Sequence, residues 1–162
     1  MLDSRSQPQS VVIERVFDAP IELVWKMWTD PDRFRAWYGP HGASVPVAEL
    51  DVRPGGHRRV CMAFGPRKMW FTGEHLEIDE PTRLIYTENM ADEHGQPISP
   101  ESIGMPAGTP GTTQVSLTLE SVGSGTRITL THTGVAAESG AATGWNAALD
   151  KLASQLETPT GR

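Results

Sequence analysis

A long amphipathic helix at the C-terminal end follows a series of strand-like segments, and this order constrains the fold more than any other feature. From Trp145 onward, apolar residues recur at spacings of three and four, the period of one helix face: Trp145, Ala148, Leu149, Leu152 and Leu156. Six extended runs precede this helix and are joined by turn signals such as Gly-Gly and Gly-Ser-Gly. Strands joined by short turns must be antiparallel. The helix is buried most economically if the sheet curls around it.

The N-terminal part adds one strand and two short helices. The strand is predicted over 11–17, the first helix over 21–28, and the second helix begins at Pro31. We therefore predict an α+β fold, in which a curved antiparallel sheet wraps round a long C-terminal helix and two short helices follow the first strand. The six extended runs are ASVPVAELDV, HRRVCMAF, KMWFTGEHLEI, RLIYTENM, TQVSLTLESV and TRITLTHT.

Length and charge restrict the class of protein. The 162 residues are enough to bury a core without metal or disulfide support. We predict one domain over 11–157 between flexible tails at 1–10 and 158–162. The net charge of −6 argues against nucleic-acid binding, because phosphate contacts need a basic face. The single Cys61 excludes an internal disulfide.

Signals for metals, membranes and export are missing from the sequence. The five histidines show no HxH or HExxH spacing, so we predict no metal site and no cofactor. No run is long and apolar enough to span a membrane, and Met1 to Ser10 contains no signal-peptide apolar segment. We therefore expect a cytoplasmic protein without a membrane span.

Alternation within the later strands predicts which side chains face the helix. In RLIYTENM, Tyr86 and Glu88 share one face. In VSLTLESV, Leu117 lies on the apolar face, and in TRITLTHT the parity of the strand places His132 on the apolar side. These side chains are predicted to meet on the inner surface of the sheet.

The run KMWFTGEHLEI is ambiguous, because three apolar residues are consecutive. Trp70, Leu76 and Ile78 share one parity, with Glu74 between them, and His75 lies on the other. An inner face that holds Trp70 and Glu74 together with Tyr86, Glu88 and His132 would be apolar with a few convergent polar groups. Such a face is typical of a small-molecule pocket.

The segment 136–144, AAESGAATG, consists almost entirely of small residues and precedes the bulky half of the helix. Small side chains here would leave space beneath the start of the helix. An unfilled apolar cavity costs about 24 cal/mol per Å³, so it is retained more readily if something occupies it. Alternatively, these residues form a loop into the helix or let its backbone approach the sheet closely.

Five runs, in order, resemble the START-like (SRPBCC) superfamily, and more narrowly the domain named after the activator of the ninety-kilodalton heat-shock protein's ATPase. They are VFDAPIELVWKMWTDPDRFRAWYGP, LDVRPGGHRRV, FTGEHLEIDEPTRLIYT, GTRITLTHTGV and GWNAALDKLASQL. The resemblance extends from about Val11 to Leu156. It implies the helix-grip fold, with a cavity between sheet and helix. Members bind lipids, sterols, hormones and polyketides, and a minority are cyclases or hydrolases.

Three classes of function follow. The first is binding of a small hydrophobic or amphipathic molecule. The second is a cyclase or hydrolase in which His132 works with Glu88 or Glu74 as general acid and base. The third is a chaperone-partner domain. The predicted ligand-binding residues are Trp37, at the pocket mouth, with Trp70, Leu76, Tyr86, Glu88, Leu117, His132, Trp145 and Leu149.

Two of these assignments have a plainer alternative. His132 is a catalytic candidate if a carboxylate approaches it, and otherwise a histidine hydrogen-bonded to backbone at a strand end. Arg58 and Arg59 point to opposite sides of a locally basic hairpin with Arg67 and Lys68. We expect them to form a solvated edge.

The connection between Met90 and Thr112 is long and rich in Gly and Pro. Loops of this length are uncommon and are usually functional or disordered. Ile98, Ile103 and Met105 are apolar residues that a fully solvated loop would not need. We expect one of them to contact the cavity mouth, as a lid, or a second subunit, in a homodimer.

Overall fold

The structure, a computed structural model, describes residues 10–104, 110–135 and 141–157. Within these ranges it contains seven strands, two short α-helices and one long α-helix. The elements are β1 (Ser10–Phe17), α1 (Ile21–Thr29), α2 (Pro31–Arg35), β2 (Ser44–Leu50), β3 (His57–Phe64), β4 (Arg67–Asp79), β5 (Arg83–Ala91), β6 (Thr112–Val122), β7 (Gly125–Thr133) and α3 (Ala141–Glu157), with a short 3₁₀ helix at Pro100–Ile103.

All seven strands belong to one antiparallel sheet in the order β1-β7-β6-β5-β4-β3-β2. Consecutive strands from β2 to β7 are neighbours, and short turns join all of them except β5 and β6, which are separated by the long connection. The first strand lies at the opposite edge, beside β7, so α1 and α2 connect one edge of the sheet to the other. The predicted α+β helix-grip fold, with a curved sheet around the C-terminal helix, is confirmed.

The bulky half of α3 packs on the concave side of the sheet, as its periodicity predicts. Trp145, Leu149 and Leu152 are buried in the main core, and Leu156 is partly buried against it. Burial of each large apolar side chain contributes about 1.5–3 kcal/mol. Neither α3 nor any other helix in the described ranges is long and apolar enough to cross a membrane.

The two short helices close the core with aromatic side chains. The α2 helix begins where the Asp30 carboxylate accepts a hydrogen bond from the backbone N–H of Asp32, with proline at the first helical position. The rings of Trp28 and Trp37 meet edge-on with centroids 4.6 Å apart, and Trp28 stacks on Trp145 at 5.9 Å. These contacts join α1 and the turn after α2 to α3.

The inner face of β4 differs from the sequence-based prediction. Trp70 is half-buried on the outer side, under the Arg59 guanidinium, whose carbon lies 4.4 Å from a ring centroid of Trp70. Glu74 is exposed, and Leu76 is 40% exposed. Phe71 contributes to the inner face instead. The predicted inward placement of these three residues of β4 is therefore wrong.

A β-bulge explains the error. The register of the β4–β5 ladder shifts between His75 and Glu77. One extra residue reverses the alternation of side chains on either side of the bulge. Ile78 does pack against the core, but Trp70, which shares its parity in the sequence, consequently points the other way.

The first part of the long connection folds back along the end of β5. The Asp92 carboxylate accepts hydrogen bonds from two backbone N–H groups of the turn, and the N–H of Ile98 donates to the carbonyl of Met90. Ile98 is half-buried there. The side chain of Ile103 and the whole of Met105 lie outside the described residues. The lid and the homodimer contact stay predictions.

Candidate functional site

A partly open pocket of about 210 Å³ lies between α3, the inner face of the sheet and the turn after α2. Its walls are predominantly apolar, and Glu88 and His132 are the titratable lining residues besides a tyrosine. The lining residues are Tyr38, Gly39, Pro40, Met62, Phe71, Glu88, His132, Ala141, Gly144, Trp145 and Ala148.

The helix side of the pocket is built from small residues. Ala141, Gly144 and Ala148 lie three and four positions apart, so they share one face of α3. A Cβ atom at Gly144 would meet the Cβ of Pro40 at 3.9 Å as its nearest neighbour, which is ordinary contact. Position 144 therefore adjoins free space. Residues 136–140 of the predicted small-residue segment lie outside the described residues.

A lysine ties the rim of the pocket to the same helix. The Nζ of Lys151 donates to the backbone carbonyl of Pro40 at 3.1 Å and to that of Tyr38 at 3.4 Å. Partial burial lowers the pKa of this ammonium group. The turn that carries Tyr38 is thus held at a fixed distance from α3.

The sheet side contains a buried ion pair. Arg58 is 2% exposed, and its Nη1 lies 3.4 Å from Oε2 of Glu88, which is 8% exposed. The hydroxyl of Tyr38 donates to the same oxygen at 3.0 Å. The guanidinium carbon of Arg58 lies 3.7 Å from the ring centroid of Tyr86. These four residues form one polar cluster, the Arg58–Glu88 cluster.

The prediction that Arg58 lies on a solvated edge is wrong, because its side chain is buried. Arg59 lies on the outer face and is only half-buried. Arg58 lies opposite Gly73 in the β3–β4 ladder. A Cβ atom at Gly73 would collide with the carbonyl oxygen of Thr87, so glycine is required there and lets β4 and β5 approach closely. The guanidinium of Arg58 reaches Glu88 of β5, two strands away in the sheet.

Both tyrosines of the cluster stay protonated near neutral pH. Burial raises the pKa of Tyr38 well above its usual value, and the negative charge of Glu88 adds to this rise. Burial likewise raises the pKa of Tyr86 to about 12, although the positive charge of Arg58 opposes the change. Tyr38 therefore remains a hydrogen-bond donor to the carboxylate.

His132 is held between two side chains. The indole Nε1 of Trp145 lies 2.9 Å from its Nδ1, and the hydroxyl of Thr113 lies 2.8 Å from its Nε2. An indole N–H can only donate, so Nδ1 accepts and the neutral ring carries its proton on Nε2. Burial lowers the pKa of His132, while the charge of Glu88 partly opposes this. Both ring nitrogens are therefore occupied.

Three of the predicted site residues line the pocket together: Glu88, His132 and Trp145. Tyr86 is buried beside them in the Arg58–Glu88 cluster. The predicted partner of His132 was a carboxylate or a backbone group, and neither hydrogen-bonds to it among the described residues.

The remaining predicted residues lie elsewhere. Trp37 is fully buried, not at the pocket mouth, because its indole N–H donates to the carbonyl of Met27 at 2.7 Å. Leu117 and Leu149 are completely buried core residues that do not line the pocket. Trp70 and Leu76 of β4 do not line the pocket either.

Four residues of the site were not predicted from the sequence: Tyr38, Met62, Phe71 and Arg58. Phe71 follows Trp70 directly, so the opposite parity for β4 would have selected it. Met62 shares the parity of Arg58 in β3 and would have been found with it. Tyr38 precedes the Gly-Pro turn, where no periodicity indicates a direction.

Metal ligands are not grouped in the part of the chain that the structure describes. No three His, Cys, Asp or Glu side chains there lie close enough to hold a metal ion. His75 is buried on the inner side, and burial together with the charge of Arg58 lowers its pKa. The site therefore offers apolar contact and hydrogen bonding.

Comparisons with known proteins agree with this architecture. The family model of Activator of Hsp90 ATPase homolog 1-like protein matches residues 18–157. A crystal structure from Chromobacterium violaceum is 27% identical, with a TM-score of 0.77, over 93% of this chain and 99% of that chain. A solution structure from Arthrobacter aurescens is 25% identical, with a TM-score of 0.77, over 99% and 91%. A Silicibacter pomeroyi protein with the same family name is 22% identical, with a TM-score of 0.73, over 91% of this chain and 96% of that chain. At this identity the similarity concerns the fold alone. No curated protein matches the sequence.

Proposed function

The chain belongs to the family of Activator of Hsp90 ATPase homolog 1-like proteins, and we propose that it binds a small, largely apolar molecule in the pocket between α3 and the sheet. The observation that carries this proposal is the face of small residues on α3, opposite a wall formed by Met62 and Phe71. Together these surfaces leave about 210 Å³ unfilled beside the core.

The apolar walls of that space support an occupant. Because the pocket is partly open, water reaches these walls, and a small apolar ligand would remove them from water at a gain of about 25 cal/mol per Å² of apolar surface. A larger side chain at Gly144 could fill the space and would also improve helix propensity by up to about 1 kcal/mol.

The hydrogen bonds of the polar residues favour binding over acid–base catalysis. His132 uses one ring nitrogen for Trp145 and the other for Thr113. A general base needs a free nitrogen within hydrogen-bond reach of the substrate proton. Glu74, the second candidate carboxylate, is exposed on the outer side of β4. In this proposal His132 and Trp145 shape the wall of the pocket.

Two variants of α3 test the proposal. Gly144→Met places a flexible apolar side chain into the pocket, whereas Thr143→Met places the same side chain at an exposed neighbouring position that does not line it. Each protein is titrated with 2-naphthol by calorimetry. We expect wild type and Thr143→Met to bind alike, and Gly144→Met to bind at least about tenfold more weakly, since a loss of about 1.4 kcal/mol corresponds to that factor.

Native mass spectrometry of freshly purified wild type provides the complementary measurement, because a tightly held molecule would be retained. Circular dichroism establishes that both variants are folded. Binding by Gly144→Met with the wild-type affinity would refute the proposal. The chaperone-partner alternative, which needs an exposed surface instead of a pocket, would then take its place.

A further inference from the structure

We propose that the pocket selects uncharged molecules that carry a hydrogen-bond donor, such as a hydroxyl group, which binds Oε1 of Glu88, and that it discriminates against carboxylates. This inference rests on the proposed function above. It depends on which polar atoms around the pocket still have hydrogen-bonding capacity.

Most polar side chains of the pocket are already satisfied by the protein. The proton of the Tyr38 hydroxyl is donated to Glu88, and its oxygen lies 3.4 Å from the Tyr86 hydroxyl. The indole N–H of Trp145 is donated to His132, whose other nitrogen meets Thr113. Among the lining side chains that the structure describes, no donor is therefore left for a ligand.

Glu88 is the exception, because both of its contacts use the same oxygen. Tyr38 and Arg58 approach Oε2, and Oε1 receives no hydrogen bond from any described residue. Oε1 is not one of the fully buried polar atoms that lack a partner. It therefore keeps accessible surface, and Glu88 lines the pocket. An ionised carboxylate oxygen can accept bonds but cannot donate them. A ligand in contact with it must supply the proton.

The charge balance decides between neutral and ionised ligands. The guanidinium of Arg58 offsets the carboxylate charge at 3.4 Å, so the pair as a whole is neutral. A ligand carboxylate would add a second negative charge near Glu88 in an apolar environment and would find no side-chain donor. An ammonium group would leave the buried cluster with an excess positive charge. Burying such an uncompensated charge is costly, and a hydroxyl avoids that cost.

Three matched probes test the selection on the wild-type protein: 2-naphthol, naphthalene and 2-naphthoate, each titrated by calorimetry. We expect 2-naphthol to bind about tenfold or more tightly than naphthalene, because a hydrogen bond to a charged acceptor is stronger than one between neutral groups. We expect 2-naphthoate to bind most weakly. A pocket that selects by apolar surface alone would prefer naphthalene, since that probe has no hydroxyl to desolvate. Equal or tighter binding of naphthalene or 2-naphthoate overturns the inference but leaves the proposed function intact. If none of the three probes binds, both fail.

Glu88→Gln tests the residue itself, with Glu74→Gln as the same change on the exposed side of β4. A glutamine at position 88 removes the charge and adds N–H donors. We expect Glu88→Gln to reduce the preference for 2-naphthol over naphthalene and to strengthen 2-naphthoate binding, while Glu74→Gln matches wild type. A gain in 2-naphthoate binding cannot result from misfolding. Unchanged affinities in a folded Glu88→Gln protein overturn the inference, and if that variant does not fold, the wild-type ranking decides.

Discussion

Replacing Tyr38 by phenylalanine should destabilise the protein more than the same change at Tyr86, although both rings are buried in one cluster. The Tyr38 hydroxyl donates to the Glu88 carboxylate at 3.0 Å, whereas among the described residues the Tyr86 hydroxyl meets only the neutral Tyr38 hydroxyl, at 3.4 Å. A hydrogen bond to a charged group is worth about 1.5–3 kcal/mol, and a neutral one about 0.5–1.5 kcal/mol. We therefore expect Tyr38→Phe to cost about 1.5–3 kcal/mol and Tyr86→Phe about half as much.

Urea unfolding near pH 7.5 measures both costs, and an unchanged dependence on urea would show that the unfolded states are comparable. Both phenols are protonated at that pH, because burial raises their pKa values. Thermal melting gives an independent value, since 1 kcal/mol shifts the melting temperature of a domain of this size by about 2–4 °C. A double-mutant cycle of Tyr38→Phe with Glu88→Gln isolates the interaction between the two groups.

A Tyr38→Phe variant that is no less stable than Tyr86→Phe would contradict this expectation. In that case Glu88 would not depend on a charge-assisted bond from Tyr38, and water from the partly open pocket would satisfy it instead. A coupling energy near zero in the cycle would lead to the same conclusion. The assignment of the Arg58–Glu88 cluster as a rigid wall of the pocket would then be wrong.

Three further changes test the core, the helix and the histidines. Leu152→Ala should cost about 2–5 kcal/mol in urea unfolding as a large-to-small core change, while Leu76→Ala, at a 40% exposed position, should stay within about 0.5 kcal/mol. Gly144→Ala should raise the melting temperature, because its Cβ has room and alanine gains about 0.5–1 kcal/mol over glycine within a helix. Burial lowers the folded-state pKa of His132 and of His75, so the unfolded chain binds protons first as the pH falls below about 6.5, and stability is lost there. His132→Gln should reduce that loss in urea midpoints followed between about pH 7 and pH 5; an identical pH dependence would contradict the buried, neutral histidine.

The order of the elements and the position of α3 on the sheet could be predicted, because they follow from local periodicity. Trp145, Leu149 and Leu152 repeat at helical spacing, and an apolar helix face must be covered, so the sheet beside it was the available surface. The placement of Glu88 and His132 on the inner face was equally a matter of regular alternation in β5 and β7. In both strands the alternation continues without interruption to the end that reaches the pocket.

The inner face of β4 could not be predicted, because alternation gives a direction only as long as the register is continuous. The bulge after His75 reverses the parity between Ile78 and Trp70. No residue of that run indicates where the extra position lies, since it depends on how β4 pairs with β5. The outward Trp70 and the inward Phe71 follow from that pairing.

The chemistry of the pocket was likewise decided by tertiary structure. In the sequence Arg58 is part of a charged hairpin, but the fold buries it beside Glu88, two strands away in the sheet. His132 was recognised as an inward histidine, but its partner Trp145 comes from α3, and their hydrogen bond forms only when helix and sheet meet. The order of amino acids specifies which side chains are apolar, small or titratable and the period at which they recur. Which polar atoms are satisfied, and therefore which one is left for a ligand, depends on contacts between residues distant in the chain, and only the folded arrangement brings these within hydrogen-bond distance.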